Sequence, residues 1–163
     1  MQKQIKILLT ILMALALAVS CAKNNPNNPN DPNTPKTKEE MLQQKWQYVN
    51  GYNGGYDIKA DRIDDWAETS VNYSVSIEEI VWYSDNKSGM IYGKYITAPS
   101  WSPEVKDKYY AFYFKNLTAD SISISGAYKD GGVSGTSTLA EAKIEFTEVN
   151  GYFDVISDCK VVK

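Results

Sequence analysis

The chain has 163 residues and a net charge of −3, with no histidine and two cysteines, but twelve tyrosines, four tryptophans and four phenylalanines. Without histidine there are no His-assisted nucleophiles, no imidazole metal ligands and no ordinary proton shuttle near neutral pH. Nothing basic is concentrated enough to suggest nucleic acid as a partner.

The N-terminus has three zones. Residues 1–6 carry two lysines, residues 7–19 form an uncharged apolar run, and Ala18, Val19 and Ser20 put small side chains before Cys21. A basic start, a short apolar core and a small-residue exit describe a secretory signal, and the segment is short against the ~20 residues a bilayer span needs. The pattern resembles the bacterial lipoprotein signal, or lipobox. That resemblance implies residues 1–20 as a cleaved signal peptide, a diacylglycerol on the Cys21 sulfur and an acyl chain such as palmitate on its freed amine. Cleavage removes Lys3 and Lys6 and takes the net charge from −3 to −5. One acyl chain gives only marginal membrane binding at ~0.8 kcal/mol per buried CH₂, whereas several chains hold permanently. The expected location is the bacterial cell envelope, lipid-anchored in the outer membrane, facing either the periplasm or the cell surface.

Residues 21–37 follow as a tether. Positions 22–37 hold no large apolar side chain, and Pro26, Pro29, Pro32 and Pro35 recur every third residue, the period of polyproline II. Such a segment cannot bury a core and extends at ~3.1 Å per residue, a reach of about 50 Å.

Residues 38–163 read as one globular domain. "TKEEMLQQKW" predicts a short opening helical turn, with Thr37 capping and Glu40 three residues later. Period-two patterning rich in Tyr, Val, Ile and Thr then predicts strands at 45–50, 55–60, 69–75, 79–84, 90–97, 108–116, 121–128 and 151–157. "NGYNGG", "SDNKSG" and "NLTADS" are hairpin signals between them. In "SVNYSVSI" the side chains of Val71, Tyr73, Val75 and Ile77 are expected to share a face. The phase then flips before Ile80 and Trp82, which calls for a bulge or tight turn near Glu78. One segment departs from period two. "STLAEAKIEFT" spaces Leu139, Ala142 and Phe146 as a helix does, behind a Ser/Thr start with Glu141 placed to cap, and predicts a helix over 138–147.

Eight short half-apolar strands in consecutive hairpins predict a mainly β domain, a single antiparallel up-and-down barrel with a short helix before the last strand. A two-sheet sandwich is the alternative. The opening segment "LQQKWQYV", the strand count and the late helix resemble the lipocalin-type barrel. "GMIYGKYI", "YYAFYFKNLTADSISISGAY" and "LAEAKIEFTEVNGYF" are similar to small uncharacterised lipoproteins of spirochaete type. The resemblance implies a barrel whose interior is either filled or holds one small ligand.

Aromatics are the most unusual feature. In "KYYAFYF" Tyr109 and Tyr113 share one parity while Tyr110, Phe112 and Phe114 share the other, so either the second face is covered or it forms a binding patch. Trp101, between prolines in a connection, is either a plug over a barrel mouth or a contact residue, and Trp66 has the same two readings. Asp57, Asp61, Asp64 and Asp65 lack the alternation and glycine of a calcium loop and read as a solvated turn. "DGGVSGTS" has no phosphate-loop lysine. With lipid on Cys21, Cys159 is left unpaired, and its strand parity favours a buried thiol.

No catalytic constellation, metal cluster or cofactor motif is found, so a non-enzymatic role is expected. Two readings follow. In the first, the barrel takes a small apolar or amphipathic ligand, with Trp82, Tyr92, Tyr110 and Phe112 as walls and Trp101 at the mouth. In the second, a filled barrel contacts another envelope protein or a glycan through exposed aromatics.

Overall fold

The computed structural model describes residues 35–163; the signal segment, Cys21 with its expected lipidation and most of the tether lie outside the described residues. The chain begins with α1 (Lys38–Leu42), closed at its start by a capping box in which Thr37 Oγ1 accepts from the Glu40 amide and the Glu40 carboxylate accepts from the Thr37 amide. Nine strands follow: β1 (Lys45–Tyr48), β2 (Gly54–Ile58), β3 (Arg62–Ala67), β4 (Ser70–Ser76), β5 (Glu79–Trp82), β6 (Gly89–Thr97), β7 (Tyr109–Lys115), β8 (Ser121–Gly126) and β9 (Ser157–Val161). The helix α2 (Leu139–Glu145) lies between the last two, started by a second capping box of Thr138 and Glu141.

Every pairing is antiparallel, in the order β4-β3-β2-β1-β9-β8-β7-β6-β5, and β4 also pairs with β6. That last pairing closes the sheet. Because β4 and β5 both pair with β6, they occupy one place, and the result is a closed up-and-down barrel of eight. The anticipated break at Glu78 is the corner between them: the amide of Ile77 donates to Asp61 O and that of Glu78 to Tyr92 O. Gly93 makes this corner possible, since a Cβ there would lie 1.7 Å from the Ser76 carbonyl oxygen.

Strand direction sorts the connections. The loops after β1, β3, β6 and β8 gather at one end. Those after β2, β5 and β7 gather at the other, where α1 packs. There the Trp46 indole N–H donates to Leu42 O at 3.0 Å and fastens α1 to the barrel. Leu42, Trp46, Ile63, Ile91, Phe112, Phe114, Ile122 and Ile124 are essentially solvent-free and fill the α1 half of the interior.

Three expectations are corrected and one open alternative is resolved. The acid-rich stretch read as a solvated turn is such a turn only at the exposed Asp61; Asp57 lies in β2, and Asp64 and Asp65 lie in β3, with Ile63, Asp65 and Ala67 inward and Arg62, Asp64 and Trp66 outward by its register with β2. Its outer charges are neutralised side by side, because Asp64 takes Lys59, Arg62 and Ser74. The last strand starts at Ser157, and residues 151–153 are a turn that places Phe153 outside the barrel against Tyr113, 5.7 Å between ring centres. Val71 does not share the face of Tyr73 and Val75, because a register shift opposite Asp65 and Trp66 pairs Val71 with Trp66 and leaves it exposed. Of the two alternatives for the second face of β7, the covered one holds: Tyr113 is buried beneath Phe153 and Tyr83, and α2 packs along β6 and β7.

Candidate functional site

In the half of the barrel away from α1, the inward positions change character. Cross-strand partners face the same side of a sheet. Trp46↔Tyr56↔Asp65↔Tyr73 therefore carries the inner face across β1 to β4, and Gly93↔Tyr110↔Tyr95 contacts carry it across β6 and β7. The rings form one connected set. Tyr110 lies 4.9 Å from Tyr95, 6.3 Å from Tyr73 and 5.2 Å from Phe112, while Tyr56 lies 5.7 Å from both Phe112 and Tyr48. Most of these pairs are edge-to-face, the arrangement the ring quadrupole favours. Gly126 gives the Tyr110 hydroxyl its place, since a Cβ there would stand 2.6 Å from it. Phe146, which caps the end of α2, closes on the Tyr110 ring from another side at 5.9 Å.

Asp65 stands among these tyrosines, half-buried. Its Oδ1 accepts from Asn72 Nδ2 at 2.6 Å, and no ion pair reaches it among the described residues. Asn72 occupies the bulge that displaces Val71, so the irregularity in β4 is what turns an amide toward the carboxylate. Burial raises the Asp65 carboxyl to about 6 against the modest counter-effect of Asn72. Burial likewise raises Tyr48 to about 12 and Tyr56, Tyr73, Tyr95 and Tyr110 well above the usual phenol range, and the Asp65 charge adds to every one of these shifts. All five phenols therefore stay neutral at any physiological pH.

Asp64, the next residue, shows what the outer face does with the same side chain. It is 3% exposed. Lys59 Nζ at 2.7 Å, Arg62 Nε at 3.1 Å and Ser74 Oγ at 2.7 Å all donate to it. Its burial raises the carboxyl, but those donors outweigh burial and hold it below the usual value. It is a satisfied structural charge beside a shallow outer groove of about 210 Å³ that also takes in Lys45, Asp57 and Trp66.

The predicted ligand residues separate accordingly. Tyr110 and Phe112 face inward, Tyr110 in the tyrosine half and Phe112 beneath it. Trp82 faces inward at the other end, against Phe114 at 5.1 Å and under Lys38. Tyr92 is not a wall: it pairs with Ala111 on the outer face, where Lys143 of α2 covers it. Trp101 is not a plug, being 67% exposed in the β6–β7 connection at the tyrosine end. Asp65, Tyr56, Tyr73 and Tyr95 are the members that sequence reasoning missed as a group. The available signal was the alternation Ile63, Asp65, Ala67, hidden by four acids in nine residues. Cys159 is buried and free, facing inward opposite Ile122 and Tyr48, and burial pushes its thiol to about 12. It is inert at neutral pH.

Among the described residues no group of three or more His, Cys, Asp or Glu side chains could hold a metal ion, and no helix is long and apolar enough to cross a membrane. No protein family, curated protein or solved structure matches the chain.

Proposed function

We propose that this protein is a membrane-anchored bacterial envelope lipoprotein whose barrel binds a small amphipathic ligand at the tyrosine-lined end, without catalysing a reaction. Its anchor is the lipid that the signal pattern assigns to Cys21. The observation that carries the reading is an inward, solvent-reachable carboxylate held among five neutral tyrosines and given one amide as partner. A fold seldom keeps such a group for stability, because a half-buried charge without a counter-charge is destabilising. Binding sites are where such arrangements are retained. The surroundings suit an amphipath: Tyr52, Ile96, Trp101 and Tyr128 stand exposed on or beside the connections at that end, while the α1 half of the barrel is filled with apolar side chains.

The test is isothermal titration of the full chain in lipid nanodiscs against water-soluble aromatic and aliphatic alcohols, amines and carboxylic acids, with empty nanodiscs as blank. At least one class should bind, and Tyr110→Ala should remove that binding while Trp101→Ala, at the rim, only weakens it. A second reading rests on the exposure of Trp101, which suits contact with an envelope protein or glycan. If no small molecule binds and Trp101→Ala alone abolishes capture of an envelope component, that second reading replaces the first.

A further inference from the structure

The chemistry of the group that the tyrosine end recognises follows from what the protein withholds from it. The described residues contain five contacts of a lysine ammonium over an aromatic ring: Lys38 on Trp82, Lys45 on Trp66, Lys94 on Tyr109, Lys129 on Tyr152 and Lys143 on Tyr92. None uses Tyr48, Tyr56, Tyr73, Tyr95 or Tyr110. The inner tyrosines therefore keep their ring faces free of the protein's own cations, around a carboxylate that has no cation either. Ring faces carry negative potential and attract an ammonium within about 6 Å of the centroid. Phenol oxygens accept hydrogen bonds, and a carboxylate accepts several. The phenol hydroxyls bond to one another and can donate as well as accept, so the elements that select for positive charge are the ring faces and the Asp65 carboxylate, whose one partner is the Asn72 amide.

We propose that the ligand carries a protonated amine, seated on the Asp65 carboxylate and enclosed by the faces and hydroxyls of Tyr56, Tyr73, Tyr95 and Tyr110; this rests on the reading of the tyrosine end as a ligand site. An anion is excluded by the carboxylate. A divalent metal ion is a poor fit, because Ca²⁺ and Mg²⁺ need about six or more oxygens, commonly from several carboxylates, and here one carboxylate stands among neutral phenols. An ammonium attached to an apolar body satisfies both parts, the charge inside and the body along Ile96, Trp101 and Tyr128 at the rim. The ammonium also supplies the counter-charge that the fold itself omits.

Phenethylamine, 2-phenylethanol and 3-phenylpropanoate form a matched cationic, neutral and anionic series. Titrated at pH 7.5 into the full chain in nanodiscs, phenethylamine should bind about tenfold or more tightly than the alcohol, and the carboxylate should not bind. Asp65→Asn, which keeps an acceptor for Asn72, should bring the amine down to the alcohol. Should that variant fail to fold, the wild-type pH profile serves instead. Amine affinity should fall as pH drops through about 6 while alcohol affinity stays level. The groups facing Asp65 from the neighbouring strands are Tyr48, Tyr56, Tyr73, Tyr95 and Tyr110, none of which titrates there. Equal binding of amine and alcohol, unmoved by Asp65→Asn, would overturn the amine assignment and leave the ligand site standing. Binding of none of the three would overturn both.

Discussion

The two halves of the barrel interior solve the same packing problem with different chemistry. Beside α1, Trp46, Phe114, Ile91, Ile122 and Ile124 exclude water and leave no inward polar group short of a partner, since the Trp46 N–H is spent on Leu42 O. In the other half the rings are as closely spaced, yet five of them are tyrosines and one inward neighbour is an aspartate. Aromatic area supplies the burial in both halves. Only the second half carries groups whose cost burial does not offset. Stability is unevenly divided along the barrel axis: the α1 half holds the fold, and the tyrosine half carries a charge at a cost, as the proposed ligand site would require.

Substitutions can break this division, beginning with the largest effect. Phe112→Ala removes the ring between the halves, in contact with both Tyr56 and Tyr110, and should cost about 3–5 kcal/mol in chemical denaturation. A loss under about 1 kcal/mol would mean that the interior is not packed as described.

The adjacent acids give the next and most discriminating pair. Asp64→Asn removes the anion of Arg62 and leaves Lys59 only Asp57 at 3.4 Å, and should destabilise by about 2 kcal/mol at pH 7. Asp65→Asn should stabilise by a similar amount, about 2 kcal/mol once the partial exposure of the carboxyl is discounted. Their pH dependences are opposite. The depressed Asp64 carboxyl contributes stability above its unfolded value, which is lost as the pH falls through its lower folded value. The raised Asp65 carboxyl keeps its proton in the folded state between about 4 and about 6, where the unfolded chain has released it, so its part of the stability falls as pH rises through that window. The gain from Asp65→Asn should therefore vanish by pH 4, as urea titrations at pH 4 and 7.5 would show. If both substitutions destabilise equally at neutral pH, the contrast between the two faces of β3 is wrong.

Two smaller effects sharpen the boundary. Tyr110→Phe keeps the ring and loses a buried hydroxyl, so stability should change by about 1 kcal/mol or less while ligand affinity falls. Trp101→Ala should stay within about 0.5 kcal/mol of wild type, because the side chain is solvated.

Much of the architecture is legible from pattern alone. Period-two runs, both capping boxes and the phase break at Glu78 follow from local rules that the folded chain obeys. The inner and outer parities of "KYYAFYF" also stand as the alternation implies. The site is legible only in fragments. Tyr110 and Phe112 are visible because they lie in a clean strand, but their partners come from β2, β3, β4 and β6, brought together by closure of the barrel, which no local window contains. Asp65 was hidden for a second reason. Four acids within nine residues suggest solvent, and the outer pairing of Asp64 with Lys59 and Arg62 that lets this stretch enter a sheet depends on a hairpin register invisible in composition. Tyr92 was misassigned because parity within a strand does not say which side is inside. Trp101 admits two readings from sequence because a loop tryptophan signals exposure as readily as closure, and its exposure leaves only the contact reading.

The most direct test is a carbon-13 titration of the Asp64 and Asp65 carboxyls in the intact protein. Asp65 should titrate near 6 and Asp64 below the ordinary carboxylate value, two neighbours on opposite sides of the sheet displaced in opposite directions. Both titrating together near 4 would show that Asp65 is an ordinary solvated acid, and the tyrosine-lined end would lose its reason to be a site.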